Sequence, residues 1–380
     1  MDVAVVSERF YPDSMAVAIR MRHLVRALGE LPSTRVTLYT GSRGVTATGF
    51  RLVRTLCPPV SNELPYPVRF LAEWLLGLEL SARILLAGRR VWVITSPPFV
   101  ATWLCCLACV VRGAPFVLDV RDGYPQVYFA AGLARAGSRL GRLLLRAEAF
   151  LYRRAALIAV ATQGLAAQVR AKTGDPEKVV VLTNGFDEEL FTTGRDKYEE
   201  FTAVFHGNLG RFQRPDLIVQ LARRCRDAGL RIRFLVVGWG SNREELREEI
   251  PANLEFLGRV DYEQIPGIIG RAHVGLSFRT DDAVSRASFP VKVYEYMGVA
   301  VPVLVTPRSE GGEFVEAHGI GFQFSPEDED GIFARLRHFY EHPTELQTLT
   351  ERCLAIRGQF SRSYLSRAFA ARLAERLDRR

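Results

Sequence analysis

Short apolar runs alternate with longer segments of helical periodicity along most of the 380-residue chain. Such runs are typical of strands buried on both faces of a parallel sheet, with helices as the connections. In the first half the predicted strands are Val3–Ser7, Arg35–Tyr39, Val91–Thr95, Phe116–Asp119, Leu157–Ala161 and Val179–Leu182, and the predicted helices include Ala16–Glu30 and Ser138–Arg154. In the second half the predicted strands are Thr202–His206, Arg233–Val237, Leu254–Leu257, Val274–Ser277 and Val301–Thr306, with helix from Pro343 to Arg380.

Two consecutive series of this kind predict an α/β protein with two doubly wound, Rossmann-like domains facing each other across a cleft. The pattern places the first domain at 1–190, the second at 191–355, and a terminal helix at 356–380 that returns to the first domain. The polar stretch 187–200 is the predicted hinge. Ligands of open parallel sheets bind beyond the carboxyl ends of the strands, so the residues that follow each strand are the candidates for function.

Composition narrows the class of partner. The chain is 48% hydrophobic and 24% charged, as folded globular proteins are, and its net charge is +8 with a pI near 9.3. This charge favours an anionic partner such as nucleotide phosphates, a lipid diphosphate or an acidic membrane face. Arginine is spread along the whole chain, which does not favour nucleic acid. No secretion leader is expected at Met1, and the longest apolar run, Phe99–Val111, is too short to cross a bilayer.

A lysine and a glutamate stand one helical turn apart at Lys292 and Glu295, in an otherwise apolar segment before a predicted strand. Residues three apart share a helix face, and the start of a helix attracts anions. Pro290 suits the first turn of that helix. The pair therefore indicates a phosphate-binding helix start, although an ordinary surface ion pair would have the same spacing.

Glycine-containing loops follow several strands of the second half. Glycines let backbone N–H groups approach a phosphate, and an arginine beside them neutralises its charge. The candidates are Gly207, Asn208, Gly210 and Arg211 after one strand, Gly238 after the next, Arg259 and Val260 as backbone partners of a planar base, and Glu310, Gly311 and Gly312 after the last strand. Plain structural loops fit the same sequence, and neither the Walker pattern nor the dinucleotide fingerprint is present.

The first half offers a second group of candidates. The first strand runs into a loop with Tyr11, Pro12 and Ser14, and the helix after it carries Arg20. Ser14 is equally suited to cap that helix. Asp122, at the end of another strand and close to Tyr124, can accept a proton or hold a hydroxyl, or it can cap a turn or pair with Arg121.

Taken in order, these motifs resemble family 4 of the retaining nucleotide-sugar glycosyltransferases, which have the GT-B fold. The branch with the greatest likeness contains bacterial surface-polysaccharide transferases of the N-acetylfucosamine type. The likeness covers nearly the whole chain and rests on Tyr11-Pro12 with Arg20, Asp122 to Gln126, Asn184 to Asp187 with Phe191, Gly207 to Gly210, Phe256 to Gly258 and Pro290 to Met297.

The resemblance implies a role for each group of residues. It implies that 1–190 binds the acceptor and 191–355 the nucleotide sugar. Glu295 would bind the ribose hydroxyls, and Arg211 and Lys292 the diphosphate. Glu310, Gly311 and Gly312 would touch the donor sugar or phosphates, and Asp122 would be a base or orienting group at the acceptor hydroxyl. Asp122, Arg211 and Lys292 are thus the implied catalytic set.

The chain departs from the family pattern at two positions. The glutamate usual eight residues before the ribose glutamate is replaced by Ala287, and the lysine usual shortly after the Gly-Arg pair is missing, with Gln213 and Arg214 nearby. The resemblance also implies catalysis without a bound metal and no other cofactor. The adjacent Asp281 and Asp282 lack a third ligand for a metal site.

The resulting expectation is a hexosyltransferase that moves a sugar, an N-acetylhexosamine or related hexose, from a UDP-linked donor to a saccharide or polyprenyl-diphosphate-linked acceptor. A nucleotide-sugar epimerase of the same architecture and a non-catalytic nucleotide-sugar-binding protein are the alternatives. The expected location is the cytoplasm, with contact at the inner face of the plasma membrane. Arginines flank apolar residues such as Phe70 and Trp74, as in an interfacial helix, although a helix packed on the first sheet has the same pattern.

Overall fold

A computed structural model describes residues 1–13, 15–60, 64–130, 132, 134–242 and 250–378. The chain divides into two compact units. Unit 1 comprises Met1–Asn184 and Ser363–Arg380, and unit 2 comprises Gly185–Arg362. The sequence pattern places the corresponding boundaries after residues 190 and 355.

Unit 1 is built on a seven-stranded parallel sheet with helices between the strands. Its strands are β1 (Asp2–Val6), β2 (Arg35–Thr40), β3 (Arg51–Arg54), β4 (Val91–Ser96), β5 (Phe116–Val120), β6 (Leu157–Val160) and β7 (Val179–Val181). Its helices are α1 (Ala16–Gly29), α2 (Tyr66–Leu86), α3 (Phe99–Arg112), α4 (Gln126–Ala130), α5 (Arg139–Arg154) and α6 (Gln163–Thr173). The strand order is β3-β2-β1-β4-β5-β6-β7, so the direction of winding reverses between β1 and β4.

Unit 2 repeats this architecture with six parallel strands. Its strands are β8 (Phe201–Asn208), β9 (Ile232–Trp239), β10 (Leu254–Gly258), β11 (Val274–Ser277), β12 (Val303–Val305) and β13 (Gly321–Gln323). Its helices are α7 (Pro215–Asp227), α8 (Ile265–Ile269), α9 (Ala283–Ala287), α10 (Val291–Gly298), α11 (Glu310–Ala317), α12 (Glu329–Glu341) and α13 (Pro343–Ile356). The order β10-β9-β8-β11-β12-β13 reverses between β8 and β11.

The predicted fold class, two doubly wound parallel sheets, is confirmed. The apolar runs are visible in the sequence because the central strands are buried on both faces: β4, β5, β6 and β11 contain only buried residues. Two strands were not predicted, β3 and β13. Both are edge strands of only four and three residues, and β3 begins and ends with an exposed arginine, so neither forms a long apolar run.

The last helix, α14 (Arg362–Asp378), packs back on the first sheet. Phe369, Ala370 and Leu373 belong to the same apolar core as Val3 and Val5 of β1. Arg367 of the same helix pairs with Glu30, its Nε lying 2.8 Å from Oε2. None of the described helices has the length and apolar character needed to span a membrane.

Candidate functional site

The helix that carries the lysine and glutamate, α10, begins directly after Pro290 in unit 2. Every residue from Lys292 to Gly298 is buried, and Lys292 and Glu295 are only 9% and 5% exposed. The surface ion pair left open by the sequence is therefore wrong. Both side chains lie inside the unit, where an uncompensated charge is costly.

Lys292 has little polar compensation for its burial. Its Nζ donates to Oε1 of Gln213 at 3.2 Å and lies 3.7 Å from the centre of the Phe205 ring. Burial, together with repulsion from Arg279, lowers the pKa of Lys292 to about 7, although Glu295 acts in the opposite direction. A ligand with negative charge would restore the favourable environment that this ammonium lacks.

Glu295 is hydrogen-bonded by one neighbour and approached by a second. The Tyr262 hydroxyl donates to Oε1 at 2.8 Å, and Nε2 of His206 lies 3.5 Å from Oε2. Burial raises the pKa of Glu295, opposed by the Tyr262 hydrogen bond and by the charges of Arg362 and Lys292. The carboxylate is thus oriented on one side and has acceptor capacity left for hydroxyl donors of a ligand.

His206, at the end of β8, is neutral. Burial and the nearby Lys292 lower its pKa well below the usual value, so its 3.5 Å approach to Glu295 is not an ion pair. Its Nε2 has no hydrogen-bond partner among the described residues. A buried polar nitrogen without a partner is uncommon, and it is a reason to expect a ligand at this point.

Arg279 contributes a second buried cation. It follows β11, the strand beside β8, and its side chain donates through Nη1 to the Ser288 hydroxyl. Its Nε has no partner among the described residues, and burial lowers the pKa of its guanidinium. The cations Arg279 and Lys292 therefore lie near the point where the winding of this sheet reverses, the usual place for a ligand.

The glycine-containing ends of β8 and β9, with the residues directly after them, pack backbone against backbone, and Gly207 and Gly238 are partners in the two strands. A Cβ at Gly238 would lie 1.9 Å from the carbonyl oxygen of Gly207, and one at Gly240 would lie 2.4 Å from the carbonyl carbon of Leu209. Gly207 also has a φ of +117° and faces the Lys292 side chain, since a Cβ at Gly207 would lie 3.5 Å from Nζ of Lys292. These positions require glycine because side chains would displace neighbouring backbone.

The loop candidates at Glu310, Gly311 and Gly312 form the first turn of α11. Ser309 caps this helix, accepting from the N–H of Gly312 at 3.4 Å. A Cβ at Gly311 would lie 3.2 Å from Cδ of Pro290, so the starts of α11 and α10 are adjacent. Two neighbouring helix starts direct free N–H groups and partial positive charge towards the same region.

The remaining second-half candidates are more peripheral. Asn208 is exposed, and Arg211 is exposed with its guanidinium 4.5 Å from the centre of the Phe212 ring. Gly258 has a φ of +72°, Arg259 is exposed, and the partly buried Val260 packs against the core with Tyr262. All these residues lie in unit 2, but no contact joins Arg211 to Lys292 among those described.

Ala287, which stands where the family has a glutamate, is exposed at the end of the short helix α9. The neighbouring acidic pair has structural partners: Asp282 accepts the N–H groups of Val284 and Ser285, and Asp281 pairs with Arg286 at 2.5 Å. Capping and ion pairing thus account for both carboxylates.

The first-half candidates lie in unit 1. Tyr11 and Pro12 are exposed, and the guanidinium of Arg22 lies 4.5 Å from the centre of the Tyr11 ring. Ser14 lies outside the described residues. Asp122 is exposed, whereas Tyr124 is buried and stacks on Phe99 with the ring centres 4.4 Å apart. Burial raises the pKa of Tyr124 to about 12.

Arg20 has a different environment from the one the sequence suggested. It is 3% exposed, and Nη2 donates to Asp119 and to the carbonyl oxygen of Leu182, both at 2.8 Å. Nη1 donates to the carbonyl oxygen of Thr183 at 2.8 Å. All three of its nitrogens bond protein atoms, with Nε on Asp119 at 3.3 Å. The predicted contact between Arg20 and an acceptor remains untested, and this network does not favour it because the donors of Arg20 are already used.

Three residues of the site were missed by the sequence analysis: His206, Tyr262 and Arg279. His206 lies near the end of β8 and Arg279 follows β11, so the rule on strand ends includes both, whereas Tyr262 begins a short 3₁₀ helix after β10. What distinguishes them is their approach to α10, which depends on the pairing of β8 with β11.

Two Rossmann-like units in one chain are shared with solved structures of the GT-B class. Residues 16–185 match the model of the glycosyl transferase 4-like domain, and residues 200–342 match that of the glycosyl transferases group 1. The chain belongs to the glycosyltransferases that combine these two domains.

Individual proteins show the same likeness. The chain is 25% identical over 291 residues to a probable glycosyltransferase, WbjE, of Pseudomonas aeruginosa, covering 71% of each protein. Its structure resembles that of Alr3699/HepE from Anabaena in complex with UDP and glucose, with a TM-score of 0.72, 16% identity and coverage of 99% and 100%. Sucrose-phosphate synthase from Thermosynechococcus elongatus gives a TM-score of 0.69 at 16% identity, with coverage of 100% and 99%. At these identities the solved structures support the fold.

Proposed function

We propose that this glycosyltransferase moves a sugar from a UDP-linked donor to a saccharide or lipid-linked acceptor with retention of the anomeric configuration. The observation that carries the proposal is the buried, incompletely paired cluster of Lys292, Glu295, His206 and Arg279 in unit 2. The choice of uridine is supported by the complex of the Anabaena protein with UDP, which shares the fold.

The nucleoside would be bound by Glu295 and the loop after β10. Tyr262 fixes one carboxylate oxygen, and the remaining acceptor capacity suits the two hydroxyls of a ribose. The backbone groups of Arg259 and Val260 would bond the base. Because Tyr262 lies three residues after Arg259, one short segment would bring base and ribose contacts together.

The diphosphate would be bound by Lys292, by Arg211, by the N–H groups of the Gly207 to Gly210 loop and by the start of α11. In this reaction the largest change of charge is on the departing nucleoside diphosphate. Cations and helix starts fixed before the reaction stabilise that charge without reorganisation. We therefore propose a transfer that needs neither a catalytic metal nor another cofactor.

On the acceptor side, Asp122 would orient or deprotonate the attacking hydroxyl, and Tyr11, Pro12 and Ser14 would be further contacts to the acceptor. The donor sugar would be an N-acetylhexosamine or related hexose, and the product a surface polysaccharide or glycoconjugate, as in the N-acetylfucosamine-type branch. The place of action would be the cytoplasm, at the inner face of the plasma membrane. Ala287 removes one carboxylate that family members direct at the donor, so other groups would contact the sugar.

A panel of UDP-, GDP- and TDP-sugars tests the proposal. Binding would be followed by calorimetry and turnover by released nucleotide, with Glu295→Ala as the variant and with EDTA and Mg²⁺ in parallel. We expect selective binding of uridine nucleotides that is lost in the variant and activity that EDTA leaves unchanged. No binding of any sugar nucleotide would overturn the proposal.

Product analysis separates the remaining alternatives. An epimerase would convert the donor when no acceptor is present, and a non-catalytic protein would bind the donor without releasing nucleotide. Retention is tested by NMR of the anomeric proton in the first product formed. An inverted anomer would contradict the retaining mechanism while leaving the donor site intact.

A further inference from the structure

The outer side of helix α2 in unit 1 is apolar along its length. Besides Phe70 and Leu86, which are 51% and 87% exposed, the helix exposes six large apolar side chains that are each between 39% and 59% exposed: Val68, Leu71, Trp74, Leu75, Leu78 and Leu85. Spacings of three and four residues place these side chains on one face of the helix. We call this set the apolar face of α2. A 21-residue helix is about 30 Å long, so the face is too extended to be a chance exposure of single residues.

The opposite side of α2 is packed into the unit, which fixes the orientation of the helix. Leu76, Leu80 and Ile84 belong to the core, and a Cβ at Gly77 would lie only 2.9 Å from Cα of Ala101 in α3. Glu73, 5% exposed, accepts the N–H of Val100 at the start of α3 at 3.2 Å. Glu73 is thus used inside the unit, and the apolar face is left outside.

The apolar face continues onto the neighbouring helix. Leu107 and Val111 of α3 are 39% and 78% exposed. The side chain of Arg112, the last residue of α3, donates to the carbonyl oxygen of Leu85 in α2. The ends of the two helices are therefore tied together, and their exposed apolar side chains form one surface.

The exposed charges of this helix pair are positive. Glu73 and Glu79 are the acidic residues of α2, and both side chains are mostly buried, paired with Arg69 and Arg83 respectively. Helix α3 contains no acidic residue, and Arg112 and Arg89 are exposed at the end of the surface. An apolar strip bordered by arginines complements a bilayer whose headgroups carry negative charge.

We propose that the apolar face of α2, with Leu107 and Val111 of α3, inserts shallowly into the surface of an anionic lipid bilayer. Lipid acyl chains accept apolar side chains without matching their shape, which suits a long face with few polar groups. Trp74 and Phe70, which contact each other with ring centres 6.2 Å apart, have the amphipathic or aromatic character favoured at the interface. This surface does not depend on the donor chemistry proposed above.

The full-length protein would be tested by flotation with phosphatidylcholine vesicles that contain either no phosphatidylglycerol or about 30% of it, at low and high salt. We expect binding to the anionic vesicles, weakened by salt because the arginine contribution is screened. Leu78→Glu should reduce the partition coefficient at least about tenfold. The matched control is Leu354→Glu on α13, at a similarly exposed leucine, which should bind as the wild type does.

Folding and the alternative occupant are checked in the same samples. Circular dichroism and UDP binding should be unchanged in Leu78→Glu, since glutamate is favourable on an exposed helix face. Equal vesicle binding by the wild type and Leu78→Glu would overturn the proposal. So would an absence of vesicle binding combined with a dimer that Leu78→Glu dissociates in analytical ultracentrifugation, because the face would then bind a second copy of the chain.

Discussion

The two units each bury a set of ionisable side chains near the end of the sheet where ligands of this architecture bind, but the two sets are paired to different degrees. In unit 1, every nitrogen of the Arg20 guanidinium donates to Asp119 or to a backbone carbonyl oxygen. Asp119 also accepts from the Thr95 hydroxyl at 2.8 Å. Burial raises the pKa of Asp119, but the charge and hydrogen bonds of Arg20 outweigh it and the pKa is lowered.

In unit 2 the corresponding set is incomplete. Lys292 has one side-chain amide oxygen and an aromatic ring for its ammonium, while Nε2 of His206 and Nε of Arg279 have no partner among the described residues. Burial dominates, and the pKa of Lys292 is lowered to about 7. A buried basic side chain is thus fully hydrogen-bonded in unit 1, at Arg20, and incompletely compensated in unit 2, at Lys292.

The difference indicates what each set is for. A closed network stabilises a fold, because every desolvated charge is compensated by protein groups. An open network with buried cations and an orphaned nitrogen is stabilised only when a ligand supplies the missing charge and hydrogen bonds. We therefore expect substitutions in the Arg20 network to act on folding and substitutions in the Lys292 cluster to act on binding and turnover.

The largest expected effect is on the stability of unit 1. Arg20→Leu leaves the Asp119 carboxylate buried without its counterion, which should lower the free energy of unfolding by about 3–5 kcal/mol. Urea unfolding followed by circular dichroism measures it. In the same assay Lys292→Met should lower the free energy by less than about 1 kcal/mol, because it removes a charge that burial already disfavours. Equal losses in the two variants would contradict the comparison.

The pH dependence of the free energy of unfolding is a second test of the state of Lys292. The pKa of Lys292 in the folded state, about 7, lies below the ordinary value of 10.5, so the unfolded state binds more protons between these values. The contribution of this lysine to stability therefore rises with pH from 7 to 10.5. That contribution should be missing in Lys292→Met.

The next effect is on turnover. Lys292→Met should reduce sugar transfer by about 10²–10³-fold, because a fixed cation no longer stabilises the leaving diphosphate. The measurement is steady-state release of UDP. Lys197→Met is the matched control, because the Lys197 ammonium is also partly desolvated but donates to the carbonyl oxygens of Gly270 and Ala272. It should lower stability and leave turnover within a few-fold. A similar loss in both variants would show that burial alone, and not the open network, is being measured.

A smaller effect separates two tyrosines of unit 2, the partly buried Tyr262 and the buried Tyr296. Tyr262→Phe removes the donor that orients Glu295, and UDP affinity should fall about tenfold. In Tyr296→Phe the lost hydroxyl bonds only backbone groups, donating to the carbonyl oxygens of Val204 and Leu276 and accepting the N–H of His206, so this control should reduce stability more than affinity. Calorimetric titration with UDP measures the affinity. Unchanged UDP affinity in Tyr262→Phe would contradict the proposal that this hydroxyl positions Glu295 for binding.

The sequence predicts the fold well because the sheets are parallel and buried on both faces. Apolar runs such as Val274–Ser277 coincide with the observed strand. The short edge strands β3 and β13 have no such signature, and they are recognised only when a neighbouring strand is present to pair with them. Local pattern therefore identifies the centre of each sheet and not its edges.

The sequence predicts which site residues lie close together only where they belong to the same helix, because their spacing then determines the distance between them. Lys292 and Glu295 share a helix, so their common face follows from the 3.6-residue period. His206, Tyr262 and Arg279 approach that helix from three different parts of the chain, and local periodicity does not reveal the strand order β10-β9-β8-β11 that brings them together. The closed state of the Arg20 network was also not predictable, because two of its acceptors are backbone carbonyl oxygens of Leu182 and Thr183.

The smallest expected effect is the pH dependence of UDP binding. Because the pKa of Lys292 is about 7 in the free protein and a bound diphosphate favours the ammonium, affinity should fall about fivefold between pH 7 and pH 8. His206 stays neutral in this window, since its pKa lies well below the usual value. Calorimetry at pH 7 in two buffers with different ionisation enthalpies should show uptake of about half a proton per UDP. Lys292→Arg keeps the charge at every pH, so its affinity should change across this window only as far as UDP itself titrates. An equal fall of UDP affinity in the wild type and in Lys292→Arg would show that Lys292 does not titrate in this window. The comparison between an incompletely paired cluster in unit 2 and a fully paired network in unit 1 would then lose its support.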